Sequence, residues 1–289
     1  KVLEILPDYP QNAPTIIADN FKYLPAINSN FAETDKAFRQ MMGWTGTHIG
    51  SNNWVINANK SVSGKPIIAN DPHLAFSAPG KWYAAVIKSK DWNAAGVTLP
   101  GVPGVVIGKG DNISWVLTNV MNDDADFYAE KLDSTKAKYF IDGQWQDLKI
   151  FKDTIKVKDG KNQIIEIKET HRGPIISNIH PFKFIYNKED QNIPPISMRW
   201  CGNEFSDEML AFYKINKAKN WNEFRDAVKY FGIPGQNFVY ADAQGNIGYI
   251  MGARIPLRSS NNPTLVFDGT SSENDWKGFV PINEIPFIL

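Results

Sequence analysis

The sequence predicts an α+β fold built mainly on antiparallel sheets. Three observations carry that expectation. Short β-rich runs follow one another from Trp54 to Leu132, Asp-Gly pairs punctuate two further apolar alternations, and amphipathic helical stretches lie before and after the strands.

Residues 1–28, rich in proline and asparagine, read as an irregular segment that follows the surface. Asn30 then caps a helix in which Phe31, Ala37, Phe38, Met41 and Met42 recur at helical spacing, with Gly43 ending it. The runs WVINA, KPIIAN, WYAAVIKS, GVVIG, ISWVLTNV and DFYAEKL read as adjacent strands, each bounded by Gly, Pro or Asn. Asp142-Gly143 and Asp159-Gly160 signal hairpins of a second sheet region, with Ile155, Val157, Ile164 and Ile167 between and after them. Two helices follow, one from about Glu208 to Lys217 and one from an Asn220 cap through Trp221, Phe224, Val228 and Phe231. Strands return at NFVYAD and NIGYIMG, and no internal repeat or low-complexity tract interrupts the pattern.

At 289 residues and 43% hydrophobic content the chain suffices for one large domain or two modest ones with a sizeable core. Thirty-one basic residues balance thirty-one acidic ones, which speaks against nucleic acid or an anionic membrane as partner. The single cysteine, Cys201, excludes an internal disulfide and reads as a buried thiol. No apolar run approaches the roughly 20 residues of a membrane helix, and no signal peptide opens the chain. A start at Lys1 without methionine and an apolar end at Phe287-Ile288-Leu289 read as a piece of something longer.

Three suggestive motifs lack their chemistry. GVPGVVIGKG resembles a phosphate loop but carries Pro103 at the first required glycine and Gly110 at the required hydroxyl residue, so it reads as a glycine-bounded strand. His171 and His180 have no helical partner histidine with glutamate, and Pro181 opposes a helix there, so neither reads as a metal ligand. Asn112-Ile113-Ser114 fits a glycosylation sequon but opens an apolar strand.

Ser51, in THIGSNNWV, poses a different question. The elbow pattern G-x-S-x-G is absent because Asn53 stands where its second glycine belongs. Gly50 has no side chain, so the peptide before Ser51 is open to close approach and to strained backbone angles, which suits self-cleavage. A cut there gives Ser51 a free α-amine, with an ordinary pKa of about 8, and that amine is a base for its own hydroxyl. The plain alternative is a serine capping a turn at a strand start.

The stretches SNNWVI, IIANDPHL, NISWVLTNVMNDDADFY and QNFVYADAQGNIGYI, in that order, resemble the penicillin acylase family of N-terminal-nucleophile hydrolases. The resemblance runs from about Gly50 to the end of the chain. It implies an α+β four-layer αββα sandwich of antiparallel sheets, present here as a fragment, with Ser51 starting a central strand. It also implies a precursor cut between Gly50 and Ser51. Residues 1–50 are then the end of the upstream chain or a spacer. Residues 51–289 are the first part of the catalytic β-chain, with an α+β insertion at about 135–235 and the remainder missing. Uncut, such a chain is expected to be inactive.

Site roles carry over from the resemblance by position. Ser51 matches the nucleophile, and His73 matches the residue beside it that orients the amine. Asn119, or Val120 in the alternative register, matches the backbone oxyanion donor, and Asn237 the side-chain donor. Arg258 falls where relatives keep an arginine near that asparagine. Asp123 and Asp126, with the Ala125 carbonyl, match ligands of a structural calcium, the acidic turn being the alternative; catalysis itself implies no cofactor. Leu74, Ile107 and Leu117 match acyl-pocket positions, where ordinary core packing is the other reading. The expected substrate is a small linear amide such as a β-lactam side chain or another N-acyl compound. The expected partner is the upstream α-chain of the same precursor, and the expected location is periplasmic or secreted. Two other classes stay open: a catalytically dead relative acting as a binding scaffold, and a Ser-His-Asp esterase using Ser51 and His73.

Overall fold

The computed structural model describes residues 50–73, 78–177, 194–259 and 266–289. The helix expected over 30–43 lies outside them. The described chain opens with β1 (Gly50–Ile56) and β2 (Ile67–His73), a hairpin, then β3 (Tyr83–Lys88), β4 (Asn93–Thr98), β5 (Ile107–Lys109) and β6 (Ile113–Asn119). Next come β7 (Ala125–Ala129), the hairpin of β8 (Lys138–Ile141) and β9 (Gln144–Asp147), the hairpin of β10 (Lys149–Ile155) and β11 (Gln163–Glu169), and β12 (Ile196–Trp200). Helices α1 (Glu208–Lys217) and α2 (Trp221–Val228) precede β13 (Gln236–Asp242), β14 (Ile247–Gly252), β15 (Val266–Asp268) and β16 (Phe287–Ile288).

Seven strands form an antiparallel sheet in the order β16-β14-β13-β6-β5-β4-β3. A smaller sheet, β12-β7-β15, pairs β7 with β15 in parallel. The α+β class read from the sequence is the one observed.

Local chemistry explains the elements. Asp207 caps α1 by accepting the Leu210 N–H, and Asn220 caps α2 by accepting that of Glu223. Glu223 reaches back to the Lys219 N–H at 2.9 Å, closing the cap from the other side. At the β8–β9 turn Asp142 and Gly143 both take positive φ, 47° and 80°, as the Asp-Gly signal requires. Between β4 and β5 a Cβ on Gly108 would lie 2.3 Å from the Ala95 carbonyl oxygen, so only glycine allows these strands to approach. GVPGVVIGKG, expected as a glycine-bounded strand, is strand only over Ile107–Lys109, its earlier residues forming the loop that feeds β5.

The core forms where α1 and α2 cover one face of the large sheet. Alternation puts Trp115, Leu117, Phe238 and Tyr240 on that face, and Phe224 meets Phe238 and Tyr240 at ring distances of 6.2 and 5.1 Å. Asn216, 3% exposed, ties α1 to the loop before β5, donating to the Val105 carbonyl and accepting its N–H, both at 2.8 Å. The hairpin β1–β2 lies against β6 and β13, with Val55 and Ile68 packed on the core. Cys201 is buried, and that burial pushes its thiol up to about 12.

Within the span expected as an α+β insertion, about 135–235, α1 and α2 share the core of the large sheet. The hairpins β8 to β11 stand apart from it, with Tyr139, Ile141, Leu148 and Ile175 forming a separate small cluster. Phe224 is the packing centre of the helical layer, so Phe224→Ala should cost about 3–5 kcal/mol in urea unfolding of the protein.

Candidate active site

Ser51 is the second residue of β1. The hairpin register pairs Gly50 with His73, Ser51 with Pro72, Asn53 with Asn70 and Val55 with Ile68. Paired residues share a face and successive residues alternate, so Ser51 looks inward with Asn53 and Val55, while His73 lies on the outer face with Asp71 and Asn52. The His73 Nε2 stands 3.2 Å from Asp71 Oδ2, and its side chain is 43% exposed. The structure therefore does not bring His73 to the serine as the resemblance implied: a one-residue offset along β2 sends its ring to the wrong side. The Ser51 hydroxyl instead donates to the Gly50 carbonyl at 2.6 Å, on the bond expected to be cut.

The edge of β6 forms the second part of the site. β6 pairs with β5 only through Ser114 and Trp115, so farther along, among the described residues, no strand pairs with its outer edge. Asn70 fills the first gap, its Oδ1 accepting the Leu117 N–H at 3.1 Å. Successive N–H groups of a strand point to opposite sides, so the Asn119 N–H points the same way as that of Leu117, away from β13. The Val120 N–H points to the other side and donates to the Gly235 carbonyl at 3.0 Å. Of the two expected registers, the Asn119 N–H thus points to this edge, while the Val120 N–H is taken up by the Gly235 carbonyl.

Asn237 lies across from Thr118 on the face opposite the helices. Its Nδ2 donates to Thr118 Oγ1 at 3.1 Å and to the Asn119 carbonyl at 3.2 Å, while its Oδ1 accepts the Tyr249 hydroxyl at 2.9 Å. A carbonyl only accepts, so the Asn119 oxygen fixes which way this amide is turned. Gln236 Nε2 donates to Asn119 Oδ1 at 2.7 Å and braces the same turn.

A cavity of about 300 Å³ adjoins this edge, lined by Ser51, Thr118 and Asn119 and by apolar side chains including Ile107, Leu117 and Phe212. Ile107 lines this cavity and is also a core residue, 8% exposed. Leu74 lies outside the described residues.

Arg258 is not among the residues lining that cavity. Its Nε donates to Asp126 Oδ2 at 2.7 Å, and its terminal nitrogen reaches the Asp123 carbonyl at 3.0 Å and Asp123 Oδ1 at 3.3 Å. The expected catalytic arginine and the expected calcium carboxylates thus form one ion cluster. Trp276 Nε1 also donates to Asp126 Oδ2. Burial raises both carboxyl pKa values, and Arg258 pulls the other way. Asp123, Asp126 and the Ala125 carbonyl fall short of the roughly six to eight oxygens that calcium takes. Among the described residues no group of three His, Cys, Asp or Glu side chains is placed to hold a metal ion. The described residues therefore fit a guanidinium better than calcium, with Asp126 Oδ1 the one buried oxygen left without a partner.

His171 is held in a separate network, its Nδ1 3.1 Å from the Tyr139 hydroxyl and its Nε2 2.8 Å from Asp275 Oδ2. Sequence reading overlooked Asn70, Gln236, Tyr249 and Glu208 as site-shaping residues. Asn70, Gln236 and Tyr249 all stood inside the quoted motifs, but that Tyr249 meets Asn237 follows only from the pairing of β13 with β14.

The penicillin amidase family model matches residues 2–289. The chain is similar to an acyl-homoserine lactone acylase of Pseudomonas aeruginosa, 30% identical over 96% of this chain and 34% of the relative. It is also similar to penicillin G acylase of Escherichia coli, 32% identical over 84% of this chain and 28% of the relative. In fold it is similar to the thermostable penicillin G acylase of Alcaligenes faecalis, with a TM-score of 0.71 at 24% identity over 82% of this chain and 41% of that one. The chain spans about a third of the length of these curated relatives.

Asp126 is fully buried and Arg258 is its cation. Arg258→Met should therefore destabilise the fold by about 3–5 kcal/mol in urea unfolding, and adding Asp126→Asn should recover part of that loss.

Proposed function

We propose, for a chain that belongs to the penicillin amidase family, that Ser51 is the nucleophile of a linear-amide hydrolase, freed by cleavage of the Gly50–Ser51 bond. The observation that carries the reading is the position of Ser51: it faces an apolar cavity, away from His73, with its hydroxyl on the Gly50 carbonyl. Among the described residues no histidine stands beside this serine as a base. Its own nitrogen becomes one only after the peptide bond is cut.

Maturation begins when Ser51 Oγ attacks the Gly50 carbonyl carbon. The C–N bond breaks as the nitrogen takes up the hydroxyl proton, freeing the α-amine and leaving an ester, which water hydrolyses to the Ser51 hydroxyl and a Gly50 carboxylate. In turnover that amine takes the hydroxyl proton, directly or through one water, as Oγ adds to the substrate carbonyl. The oxyanion is met by the Asn119 N–H and by an Asn237 N–H released from the Asn119 carbonyl, the longer of its two bonds. Collapse expels the amine product, which carries off the proton, and water then hydrolyses the acyl-enzyme with the same amine as base. No step draws on a cofactor.

The relatives' names speak of acyl-homoserine lactones and penicillin G. For this chain we take the substrate to be an amide with an apolar acyl group, because Ile107, Leu117 and Phe212 wall the cavity and each buried methylene adds about 0.8 kcal/mol. An upstream chain of the same precursor and a periplasmic or secreted location complete the reading.

In the full-length protein Ser51→Ala should abolish both maturation and hydrolysis. Asn237→Ala should leave maturation measurable but lower kcat by about 10²–10³-fold, and loss confined to KM would refute its transition-state role. Phenylacetyl or medium aliphatic anilides should give a higher kcat/KM than the glutaryl anilide; a glutaryl preference would refute the pocket assignment.

A further inference from the structure

The wall of this apolar cavity carries one acidic group that the acylation chemistry does not use. Glu208, the first residue of α1, lines the cavity together with Ser51. Its Oε1 accepts the N–H of Gly232 at 2.9 Å and of Ile233 at 3.0 Å. Two donors on one carboxylate oxygen and the positive end of a helix favour the anion. Burial works against ionisation, yet hydrogen bonds from Ser206, Gly232 and Ile233 hold the carboxyl below its usual range, so Glu208 is charged at neutral pH. No lysine or arginine lines the cavity among the described residues to cancel that charge. In a space walled by Ile107, Leu117, Phe212 and Phe231 a fixed charge acts over several ångströms with little screening.

We propose that Glu208 sets the charge selectivity of the acyl cavity, admitting an acyl chain that ends in an ammonium group and excluding its carboxylate counterpart. The inference rests on Ser51 being the acylating nucleophile. Ile233 also lines the cavity, so Glu208 both shapes the wall, by holding the Gly232–Ile233 turn to α1, and charges it.

The test uses mature full-length enzyme and three para-nitroanilides of matched length: δ-aminovaleryl, hexanoyl and adipoyl. Wild type should favour δ-aminovaleryl over adipoyl by at least about tenfold in kcat/KM. Glu208→Gln keeps an acceptor oxygen for Gly232 and Ile233 but removes the charge, and should bring that ratio to within about threefold of one. A ratio unchanged by Glu208→Gln overturns the proposal. Hydrolysis of the neutral hexanoyl anilide reports on the amidase reading separately, so the two failures are distinguishable. Should the variant not fold, wild type alone decides: adipoyl turned over as fast as δ-aminovaleryl overturns the proposal.

Discussion

The antiparallel pairing of β6 with β13, with Thr118 opposite Asn237 and Leu117 opposite Phe238, is the constraint on which the rest depends. This register decides which side chains enter the helical core and which face the hairpin that carries Ser51. A slip of one residue would send Phe238 and Tyr240 out of the core and Asn237 into it. Burial of the aromatic cluster under α2 therefore fixes the register, and the register fixes the site. Stability and chemistry are linked here through the period of a strand, not through direct contact.

The same strand pair explains why the site is polar only along one edge. Where β5 ends, β6 presents N–H groups that a neighbouring strand would otherwise take. Asn70 occupies one of them, and the next, on Asn119, faces the same open side. A strand N–H turned to this edge is thus a consequence of a strand that outruns its partner among the described residues. Asn237, Thr118, Tyr249 and Gln236 bond to one another and to Asn119 around it, which keeps these partly buried groups satisfied.

Much of this was legible in the sequence. The helix over Glu208 to Lys217, the Asn220 cap and the Asp142-Gly143 hairpin follow from local chemistry, because capping and positive φ are properties of a few adjacent residues. The strand read into GVPGVVIGKG shrinks to Ile107–Lys109, because its glycines and Pro103 make the first part a loop. What failed needed the register. His73 stands close to the serine in the hairpin, but its face is set by alternation against Gly50. Arg258 was assigned to the catalytic asparagine, yet its partners Asp123 and Asp126 lie more than a hundred residues away in sequence. Choosing between Asn119 and Val120 required knowing that Gly235 accepts one of the two N–H groups. The strand NAAGVT, β4, went unread because alanine and glycine carry little β signal.

The central claim is that the nucleophile and its base are one residue, made by cutting the chain before it. Mass spectrometry of purified, active full-length enzyme tests this most directly. The account predicts a chain whose first residue is Ser51, appearing in step with hydrolytic activity. Turnover by protein whose Gly50–Ser51 bond is intact would contradict it.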